Sequence, residues 1–288
     1  MYTRHFGLRE KPFSLTPDPR YLFLSSSHRE ALAHLLYGIE QGEGFIAVTG
    51  EVGTGKTTLC RTLLERLGPN AEIAYLFNPQ LSRLELLQAI HRELALPTEG
   101  SRAELLDRLN RFLLDASRER RRVLLIVDEA QNLPVSTLEE LRMLSNLETS
   151  TEKLLQIVLF GQPELDAMLD RPELRQLRQR IGVRWQLAPL SSQEAAEYVL
   201  HRLKVASGRN GKVFSAGALR ELRRRSRGVP RLVNLLADRA LLAGYAEGSQ
   251  QVERAHVGRA AREILSARDR RRARQRSGWR RFTGKRSE

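Results

Sequence analysis

The stretch Gly50-Glu51-Val52-Gly53-Thr54-Gly55-Lys56-Thr57 constrains this chain more than any other, because it fits G-x-x-x-x-G-K-[ST] without a mismatch. Glycines at those places let backbone N–H groups turn inward around phosphate oxygens, where side chains would block them. Lys56 adds a point charge for the outer phosphates, and the Thr57 hydroxyl is placed to ligate Mg²⁺. The reading requires a strand before the loop and a helix after it, because the helix N-terminus adds its dipole to the phosphate site. Both are present. Phe45–Val48 is wholly apolar, as a buried parallel strand is, and Thr57–Leu67 has helical spacing up to a Gly68-Pro69 break. The candidate nucleotide-binding residues are therefore Gly50, Glu51, Val52, Gly53, Thr54, Gly55, Lys56, Thr57 and Thr58.

A second apolar run, Val123–Val127, ends in Asp128-Glu129 some 70 residues beyond the loop. Such a strand brings Asp128 to the metal, alongside Thr57, and Glu129 to an attacking water as its base. The two halves together point to hydrolysis of a nucleoside triphosphate, with ATP and Mg²⁺ as the expected ligands. Around them the pattern alternates. Strands are expected at 73–77, 154–160 and 183–187, and helices at 27–41, 83–94, 103–117 and 138–147. That alternation predicts an α/β fold, a parallel sheet flanked by helices. From about Pro189 no further strand is evident, and helices are expected near 192–206, 216–225, 230–246 and 252–265. The expected organisation is an α/β nucleotide-binding domain over 1–190, a small all-α domain over 191–265, and a basic tail over 266–288.

Composition narrows the class. Of 288 residues, 48 are Lys or Arg and 34 Asp or Glu, a net charge of +14. Residues 262–288 alone carry +8, so the remaining excess is mild and predicts no obvious DNA-binding face outside the tail. The longest apolar run is far short of the roughly 20 residues that span a bilayer, and the N-terminus lacks the apolar stretch of a secretory signal. The reading is a cytoplasmic protein, with peripheral contact to an inner membrane open through the tail. One cysteine, Cys60, excludes an internal disulfide, and the six histidines show no ligand-like pairing.

The sheet, the acidic pair and the helical second domain resemble the AAA+ ATPases, and the resemblance implies further roles. Asn78, after the second expected strand, takes the place of the residue that orients the catalytic glutamate; it is equally a turn-forming Asn before Pro79. Gln162 takes the place of the residue that senses the γ-phosphate, where Asn or Thr is commoner. Arg231, in Gly228-Val229-Pro230-Arg231, matches the arginine that reaches the nucleotide from the helical domain, although Gly-Pro punctuation is also simply a turn. Arg175, Arg178, Arg180 and Arg184 cluster where an intersubunit finger belongs, and Arg180 is the choice; it implies a self-assembled oligomer.

A closer resemblance rests on Phe6-Gly7-Leu8, Pro12-Phe13, Pro17-Asp18-Pro19-Arg20-Tyr21-Leu22-Phe23 and His28-Arg29-Glu30-Ala31-Leu32, together with the phosphate loop, Asp128-Glu129-Ala130-Gln131-Asn132-Leu133 and Gly161-Gln162-Pro163-Glu164-Leu165. These are similar to the ExeA (general secretion pathway protein A) family over roughly residues 1–262. That implies an ATPase partnering a type II secretion or MSHA-like, type IV-like pilus assembly, as in the shorter MshM-like branch. The transmembrane and peptidoglycan-binding parts of the long members do not occur in this sequence. Apart from the resemblance, Phe13, Pro17 and Tyr21 lie where they either pack beside an adenine or fill an ordinary core. The rival reading is a DNA-associated AAA+ ATPase, a transposition regulator or initiator. The tail, with Trp279 and Phe282 among arginines, suits anionic lipid, DNA or solvent alone.

Overall fold

The computed structural model describes residues 1–16, 18–68, 71–77, 80–150, 152–207 and 213–264. Pro17, Asn78 and the tail expected over 266–288 lie outside the described residues. The chain divides into two compact units, one of Leu24–Ala188, the other of Met1–Phe23 together with the chain from Pro189 onward.

In the first unit the apolar runs become strands β1 (Phe45–Gly50), β2 (Ala71–Phe77), β3 (Arg122–Asp128), β4 (Gln156–Gly161) and β5 (Ile181–Leu187). They pair in the order β2-β3-β4-β1-β5, every pair parallel. The central strands β1, β3 and β4 are apolar on both faces because helices cover both. Leu125 and Val127 face a core with Leu86, Ile90, Leu105 and Leu109, whereas Leu124 and Ile126 face one with Leu35, Ile39, Leu59 and Leu63. Neighbouring residues of one strand thus serve opposite cores, as the period of two demands. The expected helices form at Ser26–Glu40, Lys56–Leu67, Arg83–Glu93, Arg102–Arg118 and Val135–Leu144. Ser82 with Glu85 and Ser101 with Glu104 close capping boxes at two of their starts, satisfying otherwise orphaned N–H groups.

The differences are local. The expected strand at 154–160 begins at Gln156, because the Leu154 N–H is already bonded to Leu147 O in the preceding turn. Two short helices, Pro163–Leu169 and Arg175–Arg178, escaped the periodicity because they offer too few turns for a pattern.

The second unit contains the helices Ser192–Ser207, Ala216–Ser226 and Pro230–Ala246 and a helix over 254–264. The first 23 residues, expected with the α/β domain, group here instead. Tyr2, Leu8, Phe13 and Tyr21 are buried in one core with Val199, Leu203, Leu236 and Leu241, so Phe13 and Tyr21 take the core-packing alternative. Arg202, 7% exposed, explains the attachment. It donates to Pro12 O at 2.5 Å and Ser14 O at 3.2 Å, and its guanidinium lies 4.5 Å from the centre of the Tyr21 ring, a cation–π distance.

The division also sharpens the charge. Leu24–Ala188 holds 20 basic and 23 acidic side chains, whereas 1–23 with 189–264 holds 18 and 9. The excess outside the tail is therefore not a thin, even surplus, as the sequence reading took it to be. It belongs to the helical unit. There a single buried carboxylate, Glu221, pairs with Arg224, Arg225 and Arg254.

Arg202→Ala removes three charge-assisted bonds, to Pro12 O, Ser14 O and the Tyr198 hydroxyl, and orphans the buried Pro12 carbonyl, a loss of about 3 kcal/mol. We expect a lower melting temperature and early proteolytic cleavage within residues 1–23, read by limited trypsinolysis with N-terminal sequencing.

Candidate active site

Parallel strands all present their C-terminal ends at one edge of the sheet, and in an open α/β sheet that edge is where ligands bind. Here it gathers Gly50 after β1, Asp128 at the end of β3 and Gln162 just beyond β4.

The loop after β1 is folded as the sequence predicts. Thr54, 1% exposed, ties it down by donating its hydroxyl to Glu51 O at 2.9 Å. Gly55 has φ +106°, and a Cβ built on it would lie 2.5 Å from His28 Nε2. Two independent constraints, a left-handed backbone and a close neighbour, therefore require glycine there. Lys56 is the first residue of the following helix and 6% exposed. Its ammonium donates to Gly50 O at 2.7 Å and Glu51 O at 3.2 Å, so it already sits over the loop that would hold phosphate. Burial pushes the Lys56 pKa down, and the nearby carboxylates of Glu129 and Asp128 partly oppose that.

Asp128 is a 1% exposed carboxylate, and three donors compensate its burial. The Glu129 N–H donates to Oδ1 at 2.9 Å, the Tyr75 hydroxyl to Oδ2 at 3.1 Å, and the Thr57 hydroxyl to Oδ2 at 3.4 Å. Burial raises its pKa, while the first two bonds and Lys56 lower it; the net direction is upward. Thr57 and Asp128 thus place two hard oxygen ligands side by side, the donor chemistry Mg²⁺ prefers. Among the described residues no group of three or more His, Cys, Asp or Glu could hold a metal by itself, so an ion at this pair would complete its shell with phosphate and water.

Glu129 has φ +56° and ψ +39°, left-handed values that are uncommon for a non-glycine residue and concentrate at functional sites. Its Oε2 accepts from Gln162 Nε2 at 2.9 Å and from Gln131 Nε2 at 2.6 Å. Gln131 Oε1 in turn accepts the Gln162 N–H at 3.0 Å. Partial burial raises the Glu129 pKa, but the bonds from Gln162 and Gln131 and the Lys56 charge outweigh it, so the net direction is downward and the carboxylate is held ionised. Gln162, expected to sense the γ-phosphate, contacts Glu129 here. Sequence reasoning gave neither Gln131 nor Tyr75 a role. Tyr75 lies on the edge strand β2, and its register opposite Ile126 brings it within reach of Asp128.

Three of the four clustered arginines, Arg178, Arg180 and Arg184, are engaged within their own chain. Arg180 donates to Ser145 Oγ at 2.9 Å, to Arg142 O at 3.4 Å and to Asn146, so it caps the C-terminal end of helix Val135–Leu144. Arg184, already within β5, is paired with Asp166 and Asp170, and Arg178 lies 3.7 Å from Asp170. Arg175 is exposed. Arg231 is exposed in the first turn of its helix in the other unit.

Gly55→Ala combines a left-handed penalty of about 1–2 kcal/mol with a clash against His28. Binding of a fluorescent ATP analogue should weaken at least about tenfold, with the far-UV circular dichroism unchanged.

The chain is similar to several known proteins. Residues 39–169 match the AAA domain family. General secretion pathway protein A of Aeromonas hydrophila is 49% identical over 271 residues, 93% of this chain and 49% of that protein. The chain therefore spans about half the length of the curated relative it matches. Among solved structures, the Aeropyrum pernix ORC2 protein in its ADPNP-ADP complexes has a TM-score of 0.61 at 21% identity, over 88% of this chain and 71% of that one. Drosophila ORC bound to DNA gives 0.65 at 20% identity over 88% and 64%, and a Walker-type ATPase of Pyrococcus abyssi 0.64 at 18% identity over 93% and 80%. At these identities the solved structures speak for the fold alone. By fold, phosphate loop and relative together, this chain carries an AAA domain and is similar over 93% of its length to general secretion pathway protein A.

Proposed function

We propose that the chain binds ATP with Mg²⁺ at Gly50–Thr58, hydrolyses it with Glu129 as general base, and uses the cycle to drive self-assembly in service of an envelope machine. The observation that carries the chemistry is the meeting of Lys56, Thr57, Asp128 and Glu129 at one edge of the sheet. Thr57 and Asp128 would hold the ion, which when bound would neutralise negative charge on the phosphates. Lys56 exchanges the loop carbonyls for phosphate oxygens, gaining a charged partner where burial disfavours its own charge. Glu129, kept ionised, accepts the proton of the attacking water at a carboxylate oxygen. Gln162 answers to the γ-phosphate, and Arg231 as a nucleotide-binding residue belongs to the same proposal. Asn78 as a further partner of Glu129 belongs to the same proposal. Arg180 acts as an intersubunit finger only by exchanging its contacts at Arg142–Asn146, whereas Arg175 needs no such exchange.

Secretion as the setting is supported by the likeness to a general secretion pathway protein, and type IV-like pilus assembly is the alternative setting of the same proposal. No helix among the described residues is long and apolar enough to cross a membrane. Peripheral attachment at an inner membrane through the basic tail fits that setting. A second reading, contact with DNA, is favoured by one observation, the confinement of the basic excess to the helical unit and the tail. Either partner would be held by phosphate charge.

Lys56→Ala should abolish ATP binding, while Glu129→Gln should bind ATP, stop turnover and sediment as an ATP-dependent oligomer. Analytical ultracentrifugation with and without ATP checks this; a monomer throughout would count against the assembly. Removal of residues 268–288 should weaken attachment to anionic liposomes and leave basal hydrolysis unchanged. Full-length protein that ignores liposomes but binds duplex DNA at physiological salt would favour the second reading.

A further inference from the structure

We propose that Gln131 positions the catalytic Glu129; the inference rests on the ATPase reading above. The orientation of its amide is set by its partners. A backbone N–H only donates and a carboxylate only accepts, so Oε1 must face the Gln162 N–H at 3.0 Å and Nε2 must face Glu129 Oε2 at 2.6 Å. Gln131 lies in the 3-10 turn Ala130–Asn132, entered through the left-handed Glu129. The backbone bend that sets the direction of Glu129 therefore also brings Gln131 back onto its carboxylate two residues later.

The far end of the bridge is main chain. Gln162 directly follows β4, and β3 pairs with β4, so Gln131 ties Glu129 to the neighbouring strand rather than to another mobile side chain. Room for this depends on Gly161. A Cβ there would lie 3.2 Å from Gln131 Oε1 and within 2.8 Å of Leu165. The second donor to Glu129, the Gln162 side chain, differs in kind. Its amide can turn to a phosphate oxygen without moving the backbone, whereas Gln131 is anchored through one. Gln131 thus keeps Glu129 in place while Gln162 is exchanged.

The test compares phosphate release and ATP binding by the wild type, Glu129→Gln, Gln131→Ala and Gln131→Glu. Glutamate keeps the length of Gln131 and an acceptor for the Gln162 N–H, but loses the donor and sets a like charge against Glu129. We expect kcat to fall about 10- to 100-fold in both Gln131 variants, with KM for ATP within about twofold of wild type and the melting temperature of Gln131→Glu unchanged. A Gln131→Ala kcat within about threefold of wild type overturns the proposal. So does full activity in Gln131→Glu, since the acceptor contact to β4 would then be all that matters, and so does a loss confined to KM. Wild type that releases no phosphate overturns the ATPase reading and this proposal with it. Wild type that turns over, with Glu129→Gln inactive and Gln131→Ala unimpaired, overturns this proposal alone.

Discussion

A carboxylate that is 1% exposed is tolerated only where donors replace the water it has lost, and Asp128 determines much of what surrounds it. Its three donors come from different elements: Tyr75 from β2, Thr57 from the helix after the phosphate loop, and the Glu129 N–H from its own chain direction. Meeting them requires β2 and β3 in their observed register and the loop helix docked against the sheet. The last donor lies on the residue where the backbone turns left-handed, so the same arrangement that stabilises Asp128 also sets the direction of Glu129. Structure and chemistry are coupled at that point.

Charge balance in the site follows from the same geometry. Burial disfavours both the Lys56 ammonium and the Asp128 carboxylate, and each is among the charges that moderate the other. Lys56 currently directs its donors to Gly50 and Glu51 carbonyls, neutral acceptors that a phosphate outcompetes because it sets a full opposite charge against the ammonium. Glu129 is different. Its two glutamine donors favour the ionised form, the one that can accept a proton.

The architecture was legible where it is written in local pattern. β1 and β3 are continuous apolar runs because both faces of the sheet are covered, and the glycines of the loop mark a backbone that side chains would obstruct. The same local signals placed Gly50 to Thr58, Asp128 and Glu129. What could not be read depends on meetings between distant elements. Gln131 reaches Glu129 and the Gln162 N–H only because β3 and β4 are neighbours, and Tyr75 reaches Asp128 only through the β2–β3 register. Arg180, conspicuous among arginines, caps a helix 35 to 38 residues earlier in the chain. Residues 1–23 looked continuous with the α/β domain, yet Arg202, 188 to 190 residues later than its partners, fixes them to the helical one. The net charge was readable as a total, but its concentration outside Leu24–Ala188 emerged only with the boundaries of the units.

The central claim is that Thr57, the buried Asp128 and the oriented Glu129 together make a metal-dependent ATPase site. Phosphate release from ATP by the purified wild-type chain, followed in Mg²⁺ and then with the ion chelated by EDTA, tests it most directly. The account predicts turnover in Mg²⁺, its loss on chelation and its return when Mg²⁺ is restored. Release at the same rate in EDTA, or none in Mg²⁺, would contradict it.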